Sequence, residues 1–259
     1  MRTDPLLKLV CGRLPQTGTN LASQPTISRL ENAVTTRSCY RIARALVELY
    51  IRQRAKDGAP SRLLLDFDST ADPAHGEQEG AYYHGYYKER ILHALLIFDG
   101  ETNQLITAVL RPANTHASRG ALALLKRLVE RLKEEWPAVE IEIRADAGFA
   151  VPEIYDYCEK ESIDYTIGLI SNPRRLEALA QDLLERAKRE SEAKADEKVR
   201  LVSSASYRAL SWDRERRVIY KAEALKKGTN TRFVVTSRTP MSQSDSITGM
   251  CVGEKRKAG

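Results

Sequence analysis

Cysteine is sparse in this 259-residue chain, and its spacing excludes more than its number does. Cys11, Cys39, Cys158 and Cys251 stand far apart, with no Cys-x-x-Cys pair. That pattern argues against a zinc ribbon or a disulfide framework and makes a reducing cytoplasm the default setting. No apolar run nears the roughly 18 residues that a membrane helix needs, so no membrane partner is expected. The opening Met1-Arg2-Thr3-Asp4-Pro5 leads into too short an apolar stretch for a signal peptide. Internal repeats are missing. Charge of one sign is not extreme either: 41 basic against 35 acidic residues leave a formal +6. This is compatible with a polyanionic partner and diagnostic of none. What is present is a globular composition, 42% hydrophobic and 29% charged. The length suits one large domain or two small ones.

Residues 1–60 read as helical and irregular. Thr36 or Ser38 suits the cap of a helix ending before Asp57-Gly58-Ala59-Pro60. Ile42, Leu46 and Leu49 share one face of it. Arg37, Arg41, Arg44, Arg52 and Arg54 spread over the rest, a solvated basic side first and a phosphate-contacting surface second. From residue 62 the pattern becomes strand-like. Stretches 62–67, 91–98, 105–110, 139–145 and 165–169 read as five strands. One helix fits from a Ser118 cap to Glu135, with Leu122, Leu125, Leu128 (or Val129) and Leu132 inward. Another fits residues 151–161, with Pro152 in its first turn. Short links among the first three strands predict antiparallel hairpins, with Asp99-Gly100 at one turn. Helical crossovers predict parallel neighbours afterwards. The expected fold is α/β: a mixed five-stranded sheet, ordered 3-2-1-4-5 and flanked by helices. After Pro173 come a charged helix to about Lys198 and strand-like stretches at 201–210, 217–225 and 232–236, with a turn at 226–230. Residues 241–259 have no apolar periodicity and read as disordered.

Candidate chemistry gathers where two apolar runs end. Leu63-Leu64-Leu65 runs into Asp66-Phe67-Asp68-Ser69-Thr70, and a later run ends on Arg144-Ala145-Asp146-Ala147-Gly148-Phe149. A carboxylate rarely stands at the end of a buried strand unless something pairs with it. Asp66 and Asp68, two apart, share a strand face. In the order 3-2-1-4-5 the first and fourth strands are neighbours, which brings Asp146 to that pair. Such acids repel unless a cation or a proton intervenes. Magnesium takes oxygen ligands and keeps water positions for a phosphate; two such ions serve phosphodiester attack. The plain alternative is loop aspartates capping turns, Asp146-Ala147-Gly148 being one. His75, Glu77, Glu79, His84 and His93 lie near without zinc-motif spacing and read as loop and edge polarity. Tyr82-Tyr83-His84-Gly85-Tyr86-Tyr87-Lys88 reads as a packed hairpin surface ahead of a base-stacking one. The Asp66-Phe67-Asp68-Ser69-Thr70 run also resembles haloacid-dehalogenase-type phosphatases, whose first Asp is a nucleophile and second a general acid. Against that, the 144–148 segment lacks a second late acid, and three consecutive strands suit an alternating parallel sheet poorly.

Several separate stretches, in order, resemble the DDE transposases of bacterial insertion sequences, above all the group numbered thirteen-eighty. They are Leu21-Ala22-Ser23-Gln24-Pro25-Thr26-Ile27-Ser28-Arg29-Leu30-Glu31-Asn32, residues 65–80, Leu110-Arg111-Pro112-Ala113-Asn114-Thr115-His116, residues 144–149 and residues 230–236. The resemblance covers about residues 1–240. It implies a ribonuclease-H-like catalytic core and metal-dependent DNA strand cleavage and transfer during transposition. It implies Mg2+ or Mn2+ as cofactor, and DNA (element ends and target) and a homo-oligomer on DNA as partners, in a cytoplasmic, nucleoid-associated protein. By the family's Asp-x-Thr form, Asp68 is the first catalytic acid and metal ligand, with Asp66 in reserve. Asp146 is the second. Residues 1–60 become a DNA-contacting helical segment, 61–172 the core, 173–240 a β-rich insertion of a helix plus strands, and 241–259 a tail. The family's third acid lies on a helix with a Tyr-x-x-Arg…Glu pattern, which has no counterpart after Thr236. Glu215, Glu223 and Glu254 are the acids left to supply it. The expectation is therefore a truncated copy, either completed in trans or a dead remnant that binds DNA or the full-length transposase. Apolar surface near Leu65 and Ile143 is expected to be exposed in it.

Overall fold

A computed structural model describes residues 2–75, 78–85, 87–170, 176–193, 197–225 and 228–238. The disorder expected for residues 241–259, Glu254 and the loop residues Gly76 and Glu77 lie outside the described residues. Contacts divide the chain into two units, residues 1–45 and 46–259.

In the first unit, Asp4 starts helix α1 (Pro5–Val10). Its carboxylate accepts from the N–H groups of Leu6 and Leu7 at 2.9 and 3.0 Å, and Pro5 sits where no N–H is needed. Helix α2 (Gln24–Asn32) follows, then α3 (Thr36–Arg54), which ends in the second unit. The α3 cap is Thr35, not Thr36 or Ser38: its hydroxyl accepts from the Ser38 N–H at 3.2 Å.

In the second unit, Val47, Tyr50 and Ile51 form the buried stripe that ends α3. The Tyr50 hydroxyl donates to Asp99 Oδ2 at 2.9 Å, and Arg54 pairs with the same oxygen at 3.8 Å. Arg54 thus turns inward, whereas Arg37, Arg41, Arg44 and Arg52 stay exposed. Among the described residues nine strands form one sheet: β1 (Arg62–Pro73), β2 (Tyr82–His84), β3 (Glu89–Asp99), β4 (Leu105–Val109), β5 (Glu140–Ala145), β6 (Asp164–Leu169), β7 (Val199–Tyr207), β8 (Arg216–Leu225) and β9 (Gly228–Thr236). Helices α4 (Ala121–Glu135), α5 (Pro152–Lys160) and α6 (Leu176–Ala193) complete the unit. The sheet order is β2-β3-β1-β5-β6-β9-β8-β7, with β4 also on β3. The β1–β5 and β5–β6 pairs are parallel, because α4 and α5 carry the chain back between them.

The sheet corrects the sequence reading in two respects. It is wider than five strands: β9 pairs with β6 from Thr166↔Thr236 to Leu169↔Phe233, and β8 and β7 follow. A bare β6 edge would present unpaired backbone groups; the added strands pair them. Among the described residues the helices of the second unit gather on one face. Leu63, Leu65 and Phe67 of β1, Ile141 and Ile143 of β5 and Tyr165 of β6 close with α4 and α5 into one core. α6 takes the same side, Ala187 packing on Val199, Ala222 and Ala224. Among the described residues of this unit no helix packs on the other face. Leu65 and Ile143, 0% and 1% exposed, belong to the covered side and are themselves buried, against the exposure expected near them. Arg216 fastens β8 to α5: it meets Glu159 and Asp156 at 2.6 Å each and lies over the rings of Tyr155 and Trp212.

Two local expectations also change. β1 continues past Phe67 to Pro73, because β3 pairs with it as far as Pro73↔Ile91 and backbone pairing needs no apolar run. α4 begins at Ala121 behind Gly120, whose φ of +77° suits a residue without a Cβ. The Ser118 hydroxyl meets His116 Nδ1 at 2.8 Å instead of capping the helix.

Candidate active site

The parallel register of β1 and β5 ends at Phe67↔Ala145. The next residue on each strand is an aspartate, Asp68 and Asp146. At this point the strands part: β1 runs on beside β3, and β5 gives way to a single 3-10 turn, Ala147–Phe149. Neighbouring strands lie about 5 Å apart, so the two acids flank one small gap at the sheet's edge of departure. Both are exposed.

The turn that carries Asp146 is held on three sides. Asp146 Oδ1 accepts from the Gly148 N–H at 2.8 Å. Phe149 is buried beneath, edge-on to Phe67 with ring centroids 5.8 Å apart. Two glycines let the neighbours close in. A Cβ on Gly148 would come within 2.7 Å of the Ala117 Cβ, and one on Gly168 of β6 within 2.8 Å of the Ala147 nitrogen. Small residues here are a packing requirement, since neither contact distance is tolerable to a side chain.

Asp66, the reserve candidate, shares the face of Asp68 one row inward, level with Arg144. Arg144 grips it with both arms, Nε at 3.1 Å from Oδ1 and the second nitrogen at 2.5 Å from Oδ2. That hydrogen bonding, with the Asp66 charge, lifts the Arg144 pKa against the opposing effect of burial. One row further in, Glu142 takes Arg62 and, at 3.3 Å, Arg238. The face is thus a ladder of ion pairs that ends outward in the two aspartates.

The loop between β4 and α4 leans on this turn, and its anchors were not apparent from the sequence. Arg111 is 7% exposed; its guanidinium donates to the carbonyls of His93 (3.1 Å), Ala117 (2.6 Å) and Arg119 (3.1 Å). Burial lowers its pKa. His93 is no edge polarity either. Its Nδ1 faces the Thr115 carbonyl at 3.1 Å, so this nitrogen bears the proton, and Nε2 accepts from the Ser69 hydroxyl at 3.2 Å. Burial is the largest cause of its lowered pKa, with Arg111 and His84 adding to it. Arg111 lies inside the 110–116 stretch that drew attention in the sequence, but nothing local shows that its side chain turns inward.

The remaining acids do not join the pair. Glu223 sits on β8, several strands away, among Arg200 (2.8 Å), Lys221 (3.2 Å) and Lys198 (3.4 Å). Glu215 accepts from Ser206 at 2.6 Å beyond the far end of β8. Among the described residues no group of three or more His, Cys, Asp and Glu side chains is gathered to hold a metal. What the register does bring to neighbouring positions is two aspartates, whose hard oxygens are of the type that Mg2+ or Mn2+ takes, with further positions left to water and phosphate. The phosphatase alternative fails on the sheet: β3, the strand that follows β1 on its other side, is antiparallel to it.

The model of one family, Transposase DDE domain group 1, matches residues 1–250. The chain belongs to the DDE transposases. No curated protein matches it. Three solved structures show what it is similar to. The piggyBac transposase synaptic complex with hairpin DNA is 14% identical, covering 88% of this chain and 43% of that one, TM-score 0.44. The catalytic domain of Mos1 mariner transposase is 13% identical over 63% and 74%, TM-score 0.31. The NurA nuclease from Sulfolobus solfataricus is 10% identical over 88% and 85%, TM-score 0.32. The DDE chain described here therefore spans less than half the length of the piggyBac protein. Among its described residues no helix is long and apolar enough to cross a membrane.

Proposed function

We propose that this chain cleaves and joins DNA strands in transposition, with Asp68 and Asp146 as its catalytic acids. The observation that supports this best is the β1–β5 register, which leaves those two acids at neighbouring positions where the strands part. Family membership supplies the reaction class. We read the β4-β3-β1-β5-β6 part of the sheet as a ribonuclease-H-like core within residues 61–172, residues 173–240 as its insertion, and residues 1–60 as a DNA-contacting segment. The finer assignment is to the insertion-sequence group numbered thirteen-eighty, acting on element ends and target DNA as a homo-oligomer.

Asp68 and Asp146 would hold Mg2+ or Mn2+. Such an ion, when bound, polarises a phosphate oxygen and offsets charge that develops there. The protein's own groups do the positioning. The Gly148 N–H fixes one oxygen of Asp146. Arg144 neutralises Asp66 and keeps it out of the ligand set. Arg111 and His93 hold the 111–119 loop, and through Ala117 the turn that carries Asp146. A third carboxylate would come from outside the described residues. That same observation favours a second reading, DNA binding without cleavage.

Duplexes carrying the ends of the encoding element, incubated with the protein and Mg2+ or Mn2+, decide between them. Strand breaks at the ends are expected, lost in both Asp68→Ala and Asp146→Ala. Binding with no breaks in either metal would leave the second reading. Breaks that survive Asp146→Ala would remove the site.

A further inference from the structure

β2 has three residues at the edge of the sheet and, among the described residues, pairs with β3 alone. Tyr82 is 50% and Tyr83 67% exposed, so the packed hairpin surface expected for this aromatic run is not formed by either ring. The register settles which way Tyr83 looks. It stands opposite Arg90, so the two side chains share a face. The β3–β1 register runs without a break and places Leu92 opposite Asp72, Ala94 opposite Thr70 and Leu96 opposite Asp68. Even-numbered residues of β3 therefore look to the side that carries Asp68, and Tyr83 looks there with them. The stretch of β3 between the positions of Tyr83 and Asp68 is about 20 Å long. A stacked DNA strand covers that distance in about six nucleotides.

We infer that Tyr83, with Arg90 beside it, is a stacking platform for an unpaired base of the DNA strand whose phosphodiester is presented to Asp68 and Asp146. The inference rests on the strand-cleavage reading above. An aromatic ring this exposed on a three-residue strand does little for the core, whereas its open face suits a base. Arg90 donates to the Ala81 carbonyl at 3.1 Å, which holds its guanidinium against the hairpin next to the ring. A planar cation there adds stacking and a phosphate contact. Asp72 stands on the same face, opposite Leu92, so the patch is not uniformly basic. Attraction at this spot thus comes from stacking more than from field, and it selects for bases that are out of a duplex.

Anisotropy titrations of the full chain test this with a single-stranded oligonucleotide, a duplex with a six-nucleotide overhang and a blunt duplex, at low and high salt. Tyr83→Ala should weaken the single strand and the overhang by at least about fivefold, the low end for one stacked base, at both salts. It should leave the blunt duplex within about twofold, and Tyr83→Phe should behave as wild type. A Tyr83→Ala protein that binds all three DNAs as wild type does would overturn the platform alone. A wild type that binds none of them would overturn it together with the strand-cleavage reading.

Discussion

Asp66 and Asp68 lie two residues apart on one strand face, yet removing each should have opposite consequences. Asp66 accepts both arms of Arg144, with side chains 30% and 20% exposed. Asp66→Ala strands a half-buried guanidinium. An exposed ion pair contributes under about 1 kcal/mol, and breaking a buried one costs about 3–5 kcal/mol. This pair lies between those limits, so about 2 kcal/mol is expected, a fall of about 4–8 °C in Tm for a chain of this size. Combining Asp66→Ala with Arg144→Met removes the stranded charge and should recover most of that loss. Asp68→Ala, at an exposed position, should move Tm by no more than about 2 °C. In the strand-cleavage assay the ranking reverses. The Asp66→Ala, Arg144→Met protein should still cut, and Asp68→Ala should not. Thermal melts and cleavage gels on the same preparations separate the two effects. A double variant that melts normally but is inactive, beside an active Asp68→Ala, would refute the assignment and make Asp66 the ligand.

Gly148→Ala places a methyl 2.7 Å from the Ala117 Cβ and 3.0 Å from Asp146 Oδ1. It should cost about 1–3 kcal/mol in urea unfolding and slow cleavage at least tenfold; an unchanged rate would mean the turn is not held as argued. For Glu223, burial pushes its pKa up, but hydrogen bonds from Arg200 and Lys221 and the charges of Lys221 and Lys198 outweigh it and bring the carboxyl to about 2, from 4.5. A depressed acid stabilises the fold above its unfolded value, so this contribution is whole above pH 4.5 and is lost as pH falls toward 2. Glu223→Gln should flatten the stability curve across that window, and an equal slope in the variant would exclude the network. Duplex binding should weaken with salt, the log–log slope shrinking by about one for each of Arg37, Arg41 and Arg44 changed to Ala. A slope indifferent to all three would move the phosphate contacts elsewhere.

The misreadings have local causes. Ser118 has the residue type of a helix cap, but a hydroxyl can satisfy a ring nitrogen as well as a backbone N–H, and here it meets His116. The apolar run that marks β1 stops at Phe67, while the pairing that defines the strand continues to Pro73. Arg111 looks like a surface residue until the β3 carbonyl of His93 and two carbonyls of its own loop are seen around it. That the described helices share one face could not be read either, since an amphipathic stripe such as Leu125, Leu128 and Leu132 shows that a helix packs, not on which side of the sheet.

By itself the sequence determined most strands and helices of the second unit, though not β2 or the length of β1, together with the two aspartate-bearing strand ends and the family. Apolar spacing dictates which side of an element is buried, and short motifs keep their residues adjacent along the chain. Only the tertiary structure decided that Asp66 is held by Arg144 and that Asp68 stands exposed beside the Asp146 turn. Asp66 and Asp68 are equivalent in spacing and chemistry. What distinguishes them is the residue standing level on β5, Arg144 for one and, at the next position, Asp146 for the other. That is a matter of register between two segments far apart in the chain, and a slip of one residue would turn every side chain of the strand to the other face.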